Sequence, residues 1–90
     1  MFYTYILKSY KEGSYYIGSC ENVDKRLRLH NQGFVTSTKR YKPWQLVYSE
    51  KFDNLIGARR REAQIKSLKK RSAVEKLIRT FQNLYIVDPR

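Results

Sequence analysis

The strongest constraint on this chain lies in its first twenty residues. Residues 2–9 and 14–20 are each rich in aromatic and β-branched types, and Tyr10-Lys11-Glu12-Gly13 between them supplies turn chemistry. Two such runs joined by so short a turn read as an antiparallel hairpin. A hairpin alone is at best marginally stable in water, so the remainder of the chain must cover it. Residues 22–31 read as a helix, with Asn22 or Asp24 available at its start and Gly33 just beyond its end. Residues 33–43 form a basic loop with room for a helical turn, and Trp44 to Phe52 is a third strand. A long helix is expected over about 54–70 despite Gly57. Another starts at 72, opened by a Ser72-x-x-Glu75 capping box. Beyond residue 80, Leu84-Tyr85-Ile86 and Pro89 belong to a tail that either docks as an edge element or frays. The order β-β-α-β-α-α describes one small α+β domain over residues 1–80, with a three-stranded, mostly antiparallel sheet flanked by helices.

Charge narrows the partner. The 90 residues carry 19 Lys and Arg against 8 Asp and Glu, a net charge of +11. Such an excess opposes compaction and points to a polyanion, with nucleic acid ahead of an anionic membrane surface. No apolar run reaches the roughly 18 residues of a spanning helix, and the N-terminus lacks the pattern of a signal peptide. One cysteine, Cys20, cannot form an internal disulfide, which fits a reducing cytosol. One Cys and one His cannot build a structural zinc site. The expectation is a soluble, cytoplasmic, basic domain.

Helical projection then separates surface charges from sheltered ones. At about 100° per residue, Arg26 and His30 fall within the apolar arc of the first helix with Val23 and Leu27, while Asp24, Lys25 and Arg28 fall opposite. A guanidinium in that arc must be paired or must line a cleft, because an unpaired buried charge is costly. On the second helix, Leu55, Ala58, Glu62 and Ile65 share a core-facing stripe flanked by Arg59, Arg60, Lys66 and Lys70. Glu62 is thus a carboxylate where leucine would be ordinary; a salt bridge to Arg26 or to a helix neighbour would also account for it. In the hairpin, Tyr3, Tyr5 and Leu7 share one face, as do Tyr16 and Gly18. A strand glycine often marks a close approach by another group, so two phenols beside Gly18 are a candidate pocket.

These residues, in this order, resemble the GIY-YIG nuclease family in its small stand-alone branch. Tyr16-Ile17-Gly18 matches the second half of the family signature. In the first half Tyr3-Thr4 stands where Gly-Ile would be, and Tyr5 retains the tyrosine. Arg26 and His30 match the arginine four residues before a histidine in the first helix, and Glu62 matches the metal-binding glutamate. Lys39 and Pro43-Trp44-Gln45-Leu46-Val47-Tyr48 also look like this branch, and Asn83 is a loose candidate for a later asparagine. The resemblance covers roughly residues 1–80.

The resemblance implies hydrolysis of a nucleic-acid phosphodiester with one divalent ion, Mg²⁺ or Mn²⁺. Glu62 would be the metal ligand, since Mg²⁺ keeps most of its waters and takes few carboxylates. Arg26 would neutralise charge on the phosphate. Tyr5 would be the general base, its phenolate favoured by Arg26, the metal, and hydrogen bonds from Tyr16 or His30. Alternatively His30 is the base and Tyr5 positions the water; the family weights the tyrosine. Gly18 would let substrate approach, and Lys39, Arg40 and Lys42 with Trp44, together with Arg59 and Lys66, would contact phosphates. DNA is favoured over RNA, with no recognition helix for sequence and with a protein partner able to supply targeting; repair of damaged DNA follows from the family alone. The rival expectation is a nucleic-acid-binding domain whose degenerate site no longer cuts.

Overall fold

The computed structural model describes the backbone of residues 1–85, with side chains as far as Phe81. The elements are β1 (Phe2–Ser9), β2 (Tyr15–Cys20), α1 (Val23–Asn31), a 3₁₀ turn (Lys39–Tyr41), β3 (Trp44–Phe52), α2 (Leu55–Lys66) and α3 (Arg71–Tyr85). The sheet order is β2-β1-β3, both pairings antiparallel. This is the α+β architecture that the sequence implies. No described helix is long and apolar enough to cross a membrane.

The hairpin strand β1 is central, and its middle is covered on both sides. Thr4, Tyr5, Ile6 and Leu7 are all buried, the alternation of faces notwithstanding. One face, with Tyr5 and Leu7, packs against Cys20, Trp44, Val23 and Leu27 under α1. The other, with Ile6, packs against Val47, Tyr48, Ile65, Val74 and Ile78 under α2 and α3. A bulge in β3 opposite Ile6 and Leu7 makes this possible: the register passes from Tyr48 to Leu46, leaving Val47 as the extra residue. Successive residues Val47 and Tyr48 therefore both enter the second cluster, as a bulge permits.

Local chemistry sets the ends of α1. Asn22 is the N-cap, its side chain accepting from the Lys25 backbone N–H at 2.9 Å. At the other end Gly33 takes φ +82°, where a side chain would be strained. Its N–H donates to the His30 carbonyl, and that of Phe34 to the Leu29 carbonyl, closing a Schellman turn. The expected extent of α2 is corrected: it ends at Lys66 rather than near residue 70, with the Ser67 hydroxyl bonding back to the Gln64 carbonyl at 2.6 Å. The expected capping box is also absent. The last helix begins at Arg71, which puts Ser72 inside the first turn, and Glu75 accepts from Arg71 at 3.0 Å and from the Tyr15 hydroxyl at 3.4 Å. Arg71 in turn lies 4.6 Å over the Tyr15 ring and donates to the Gly13 carbonyl, clasping the hairpin turn. The tail expected from residue 81 is corrected in its first part, since α3 continues through Tyr85; the rest of it lies outside the described residues.

Thr4 fixes α2 to the sheet. Its hydroxyl, fully buried, donates to the Ala58 carbonyl at 2.6 Å, one helical turn before Glu62. Thr4→Val keeps the shape and removes this bond, so it should lower unfolding free energy by about 1 kcal/mol, read from urea denaturation. An unchanged midpoint would show that the bond contributes nothing.

Candidate active site

The site forms where edge strand β2 passes between the two helical layers. Tyr5 and Gly18 are directly paired across the hairpin. A Cβ on Gly18 would lie 2.7 Å from the Tyr5 hydroxyl oxygen and 3.1 Å from the Tyr16 ring, so the phenol occupies the space a side chain would need. The close approach expected at Gly18 is thus made by the protein's own tyrosine. With no side chain there, a cleft of about 470 Å³ opens across the strand. Tyr5, Tyr16 and Arg26 line it from the α1 side; Ser19, Arg59, Glu62 and Lys66 line it from the α2 side.

Glu62 reaches this cleft with its side chain 21% exposed. One carboxylate oxygen accepts from the Ser19 hydroxyl at 2.6 Å and the other from Lys66 at 2.6 Å. The ion pair is therefore with a helix neighbour rather than with Arg26. Burial acts to raise its pKa, but the hydrogen bonds from Lys66 and Ser19 and the charges of Lys66 and Arg59 prevail, leaving it below the ordinary carboxylate value. Ser19 was not singled out from sequence. Alternation places it on the opposite face from Gly18, so it becomes legible once Glu62 is placed on α2.

Arg26 and His30 part company in the structure. His30 is fully buried, ringed by Tyr16 at 4.8 Å, Tyr5 at 6.1 Å and Trp44 at 6.5 Å between ring centroids. Its Nε2 is 3.1 Å from the Tyr5 hydroxyl and its Nδ1 is 2.8 Å from the Thr38 hydroxyl. Burial, aided by the Arg26 charge, pushes its pKa down to about 4. Arg26, by contrast, is exposed, but it stands on the cleft wall and makes no ion pair among the described residues. Of the two outcomes expected for Arg26, pairing or lining a cleft, the structure has it on the cleft wall, and its shelter was overstated, since its long side chain reaches solvent.

Two further expectations are corrected. Tyr5 is 2% exposed, and burial, with Tyr16 and Cys20 beside it, raises its pKa well above that of a free phenol; the lowering by Arg26 does not compensate. The resting group is a phenol. Trp44 is 4% exposed, packed in the core with its indole N–H donating to the Thr38 carbonyl at 3.0 Å, so it has no face to offer a base. The exposed aromatic of the basic loop is Phe34, 73% exposed, on the same loop as the exposed Lys39, Arg40 and Lys42. Those three do not line the cleft. Asn31, unremarked in the sequence, ties α1 to β3 by accepting from the Trp44 backbone N–H at 2.5 Å and donating to its carbonyl at 3.1 Å. The side chain of Asn83 lies outside the described residues.

Among the described residues no three His, Cys, Asp or Glu side chains converge. The donor set does fit a hard ion that keeps its waters: an ionised carboxylate facing the cleft beside a hydroxyl, with an ammonium on one oxygen showing that a positive charge is accepted there.

A three-stranded antiparallel sheet with helices on both faces thus carries paired tyrosines, an arginine and a glutamate around one cleft. The family model of the GIY-YIG catalytic domain matches residues 1–77, and the chain belongs to this nuclease family. Within it, the chain is 42% identical over 83 residues to a UPF0213 protein of Syntrophus aciditrophicus, covering 90% of this chain and 91% of that one. A second UPF0213 protein, from Staphylococcus saprophyticus, is 39% identical over 74 residues, 81% of this chain and 89% of its own. The solution NMR structure of a UPF0213 protein from Bacillus halodurans matches with a TM-score of 0.59 at 33% identity, over 94% of this chain and 90% of that one.

The buried imidazole makes stability depend on pH. The unfolded chain protonates His30 near 6.5 and the folded chain only near 4, so this contribution is full above about pH 6.5 and is lost as pH falls toward 4. The loss should approach about 3 kcal/mol in urea unfolding, and His30→Gln should flatten the slope over that window. Equal slopes would mean that the imidazole titrates normally when folded. Gly18→Ala should displace the Tyr5 ring and reduce any phosphodiester cleavage on the order of a hundredfold while far-UV circular dichroism is retained. Unaltered cleavage would show that the phenol's position is immaterial.

Proposed function

We propose that this protein is a divalent-metal-dependent endonuclease that hydrolyses phosphodiester bonds of DNA, acting on structure or with low specificity rather than on a base sequence. The observation that carries this reading is that one cleft brings together a phenol, a free guanidinium and an ionised carboxylate from three separate elements. An amphipathic helix has no packing reason to aim a carboxylate at a tyrosine hairpin.

Glu62, with Ser19 beside it, would hold one Mg²⁺ or Mn²⁺. The bound ion supplies Lewis acidity and charge against the scissile phosphate. Arg26, with no acidic partner among the described residues, is available for a phosphate oxygen and stabilises charge that grows in the transition state. Tyr5 takes the proton of the attacking water, with Tyr16 packed at 6.2 Å between centroids to hold its ring. His30 does not touch substrate; being fully buried, it acts through Tyr5. Arg59 and Lys66 on the cleft, and Lys39, Arg40 and Lys42 on the loop, contact the backbone of the nucleic acid, which makes binding strongly salt-dependent.

A second reading, a binding domain that does not cut, draws support from the raised pKa of Tyr5 and from the ammonium seated on Glu62. The two separate on supercoiled plasmid and single-stranded DNA with Mg²⁺ or Mn²⁺. The wild type should nick, and Glu62→Gln should bind without nicking. Arg26→Ala should lower the rate on the order of a thousandfold, whereas Arg28→Ala, on the solvated face of α1, should change it less than about twofold. Binding without nicking by the wild type, or equal residual nicking in Glu62→Gln, would favour the second reading.

A further inference from the structure

Thr38 sits in a loop of solvated basic residues, yet it is 2% exposed. Its hydroxyl is 2.8 Å from His30 Nδ1 and 3.3 Å from the Val35 carbonyl oxygen. At the far side of the imidazole, Nε2 is 3.1 Å from the Tyr5 hydroxyl. The protons on this chain of groups can be arranged in two ways. In the first, Thr38 donates to Val35 and accepts from Nδ1–H; Nε2 is then bare and accepts from Tyr5 O–H, and every donor has a protein acceptor. In the second, Thr38 donates to Nδ1 and Nε2–H donates to the phenol oxygen. The Tyr5 proton would then turn toward the cleft, and Thr38 would give up its bond to the Val35 carbonyl. The Thr38 hydroxyl has a single proton, so only the first arrangement keeps all three contacts, and it prevails.

We propose that Thr38 is a positioning residue that fixes His30 as the Nδ1–H tautomer, so that Nε2 holds the phenolic proton of Tyr5 and the Tyr5 oxygen turns a lone pair, not a proton, toward the cleft. The catalytic part of this rests on the reading of Tyr5 as the base. A phenol whose proton points at the water cannot accept from it; a phenol whose proton is held from behind can. As water attacks, its O–H bond breaks and a new O–H bond forms on Tyr5. The phenol's original proton passes along its existing hydrogen bond to Nε2, and Nδ1 keeps its own proton on Thr38. The electron pair released by water forms the new P–O bond, and the leaving oxygen departs with the pair of the P–O bond that breaks. Tyr5 never becomes a free phenolate, the form that its burial disfavours most. The negative charge of the bound phosphodiester offsets the positive charge gained by the imidazole.

His30 is the only histidine in the chain, so its ring nitrogens are a single, unambiguous signal. Long-range ¹H–¹⁵N spectra of the full-length protein without DNA should show Nδ1 protonated and Nε2 bare. Thr38→Ser should keep that pattern, and Thr38→Val should abolish or mix it. In plasmid nicking, kcat should fall on the order of tenfold in Thr38→Val with KM little changed, and should recover in Thr38→Ser. A wild-type ring protonated at Nε2 overturns the proposal without recourse to any variant, as does wild-type kcat in a folded Thr38→Val. If the tautomer follows Thr38 as stated but no form of the protein nicks DNA, the endonuclease reading fails and the positioning of Tyr5 by Thr38 and His30 stands.

Discussion

Two adjacent residues of the central strand, Thr4 and Tyr5, hold this protein's two halves in relation to each other. Their side chains leave opposite faces of β1. Thr4 bonds the backbone of α2 at Ala58, and Tyr5 meets His30 of α1. The helix that carries Arg26 and the helix that carries Glu62 thus take their positions from neighbouring residues of one strand, buried on both faces and flanked by a hydrogen-bonded strand on either side. A site whose parts come from both sides of a sheet would ordinarily be split by that sheet. Here it is continuous because Gly18, opposite Tyr5, contributes no side chain, and the cleft passes over the edge strand at that point.

Much of this was legible in the sequence because the signals were local. Alternation around Tyr10-Lys11-Glu12-Gly13 gave the hairpin, Asn22 (one of two candidate caps) and Gly33 gave the limits of α1, and Trp44 to Phe52 is β3 residue for residue. What escaped was tertiary. The capping box at Ser72 lost to other partners of Glu75: Arg71, one turn back on the same helix, and Tyr15, which reaches it only once the hairpin is folded against α3. Trp44 read as part of the patch that contacts nucleic acid because it follows a basic run, but its ring completes the core under α1. Thr38 carries no periodic signal, and only the folded loop brings its hydroxyl to His30. Projection found Glu62 because a helix stripe is a one-dimensional pattern; it overstated the shelter of Arg26 because a long side chain at a helix start follows solvent more than it follows the arc.

The electrostatics of the cleft explain why one carboxylate can remain ionised there. Glu62 is flanked by Lys66 and Arg59, with Arg26 across the cleft. Three cations against one anion leave the cleft positive, in keeping with the +11 of the whole chain. Such a cleft attracts a phosphodiester, and it would also resist a divalent cation were the carboxylate not there. On the proposed function Glu62 would work in both directions: its charge would let a metal approach, and its bond to Lys66 would hold it in place until then.

The same field bears on the choice between phenol and imidazole as the proton acceptor. A bound phosphate brings negative charge beside Tyr5, which opposes a phenolate further and favours an imidazolium. Arg26 acts in reverse, lowering the pKa of both Tyr5 and His30. Once Arg26 is neutralised by the phosphate it binds, its penalty on His30 falls away at the moment the proton must be accepted. On the proposed mechanism the phenol touches the water and the imidazole stores the charge, a division of labour consistent with a histidine buried completely and a tyrosine that lines the cleft.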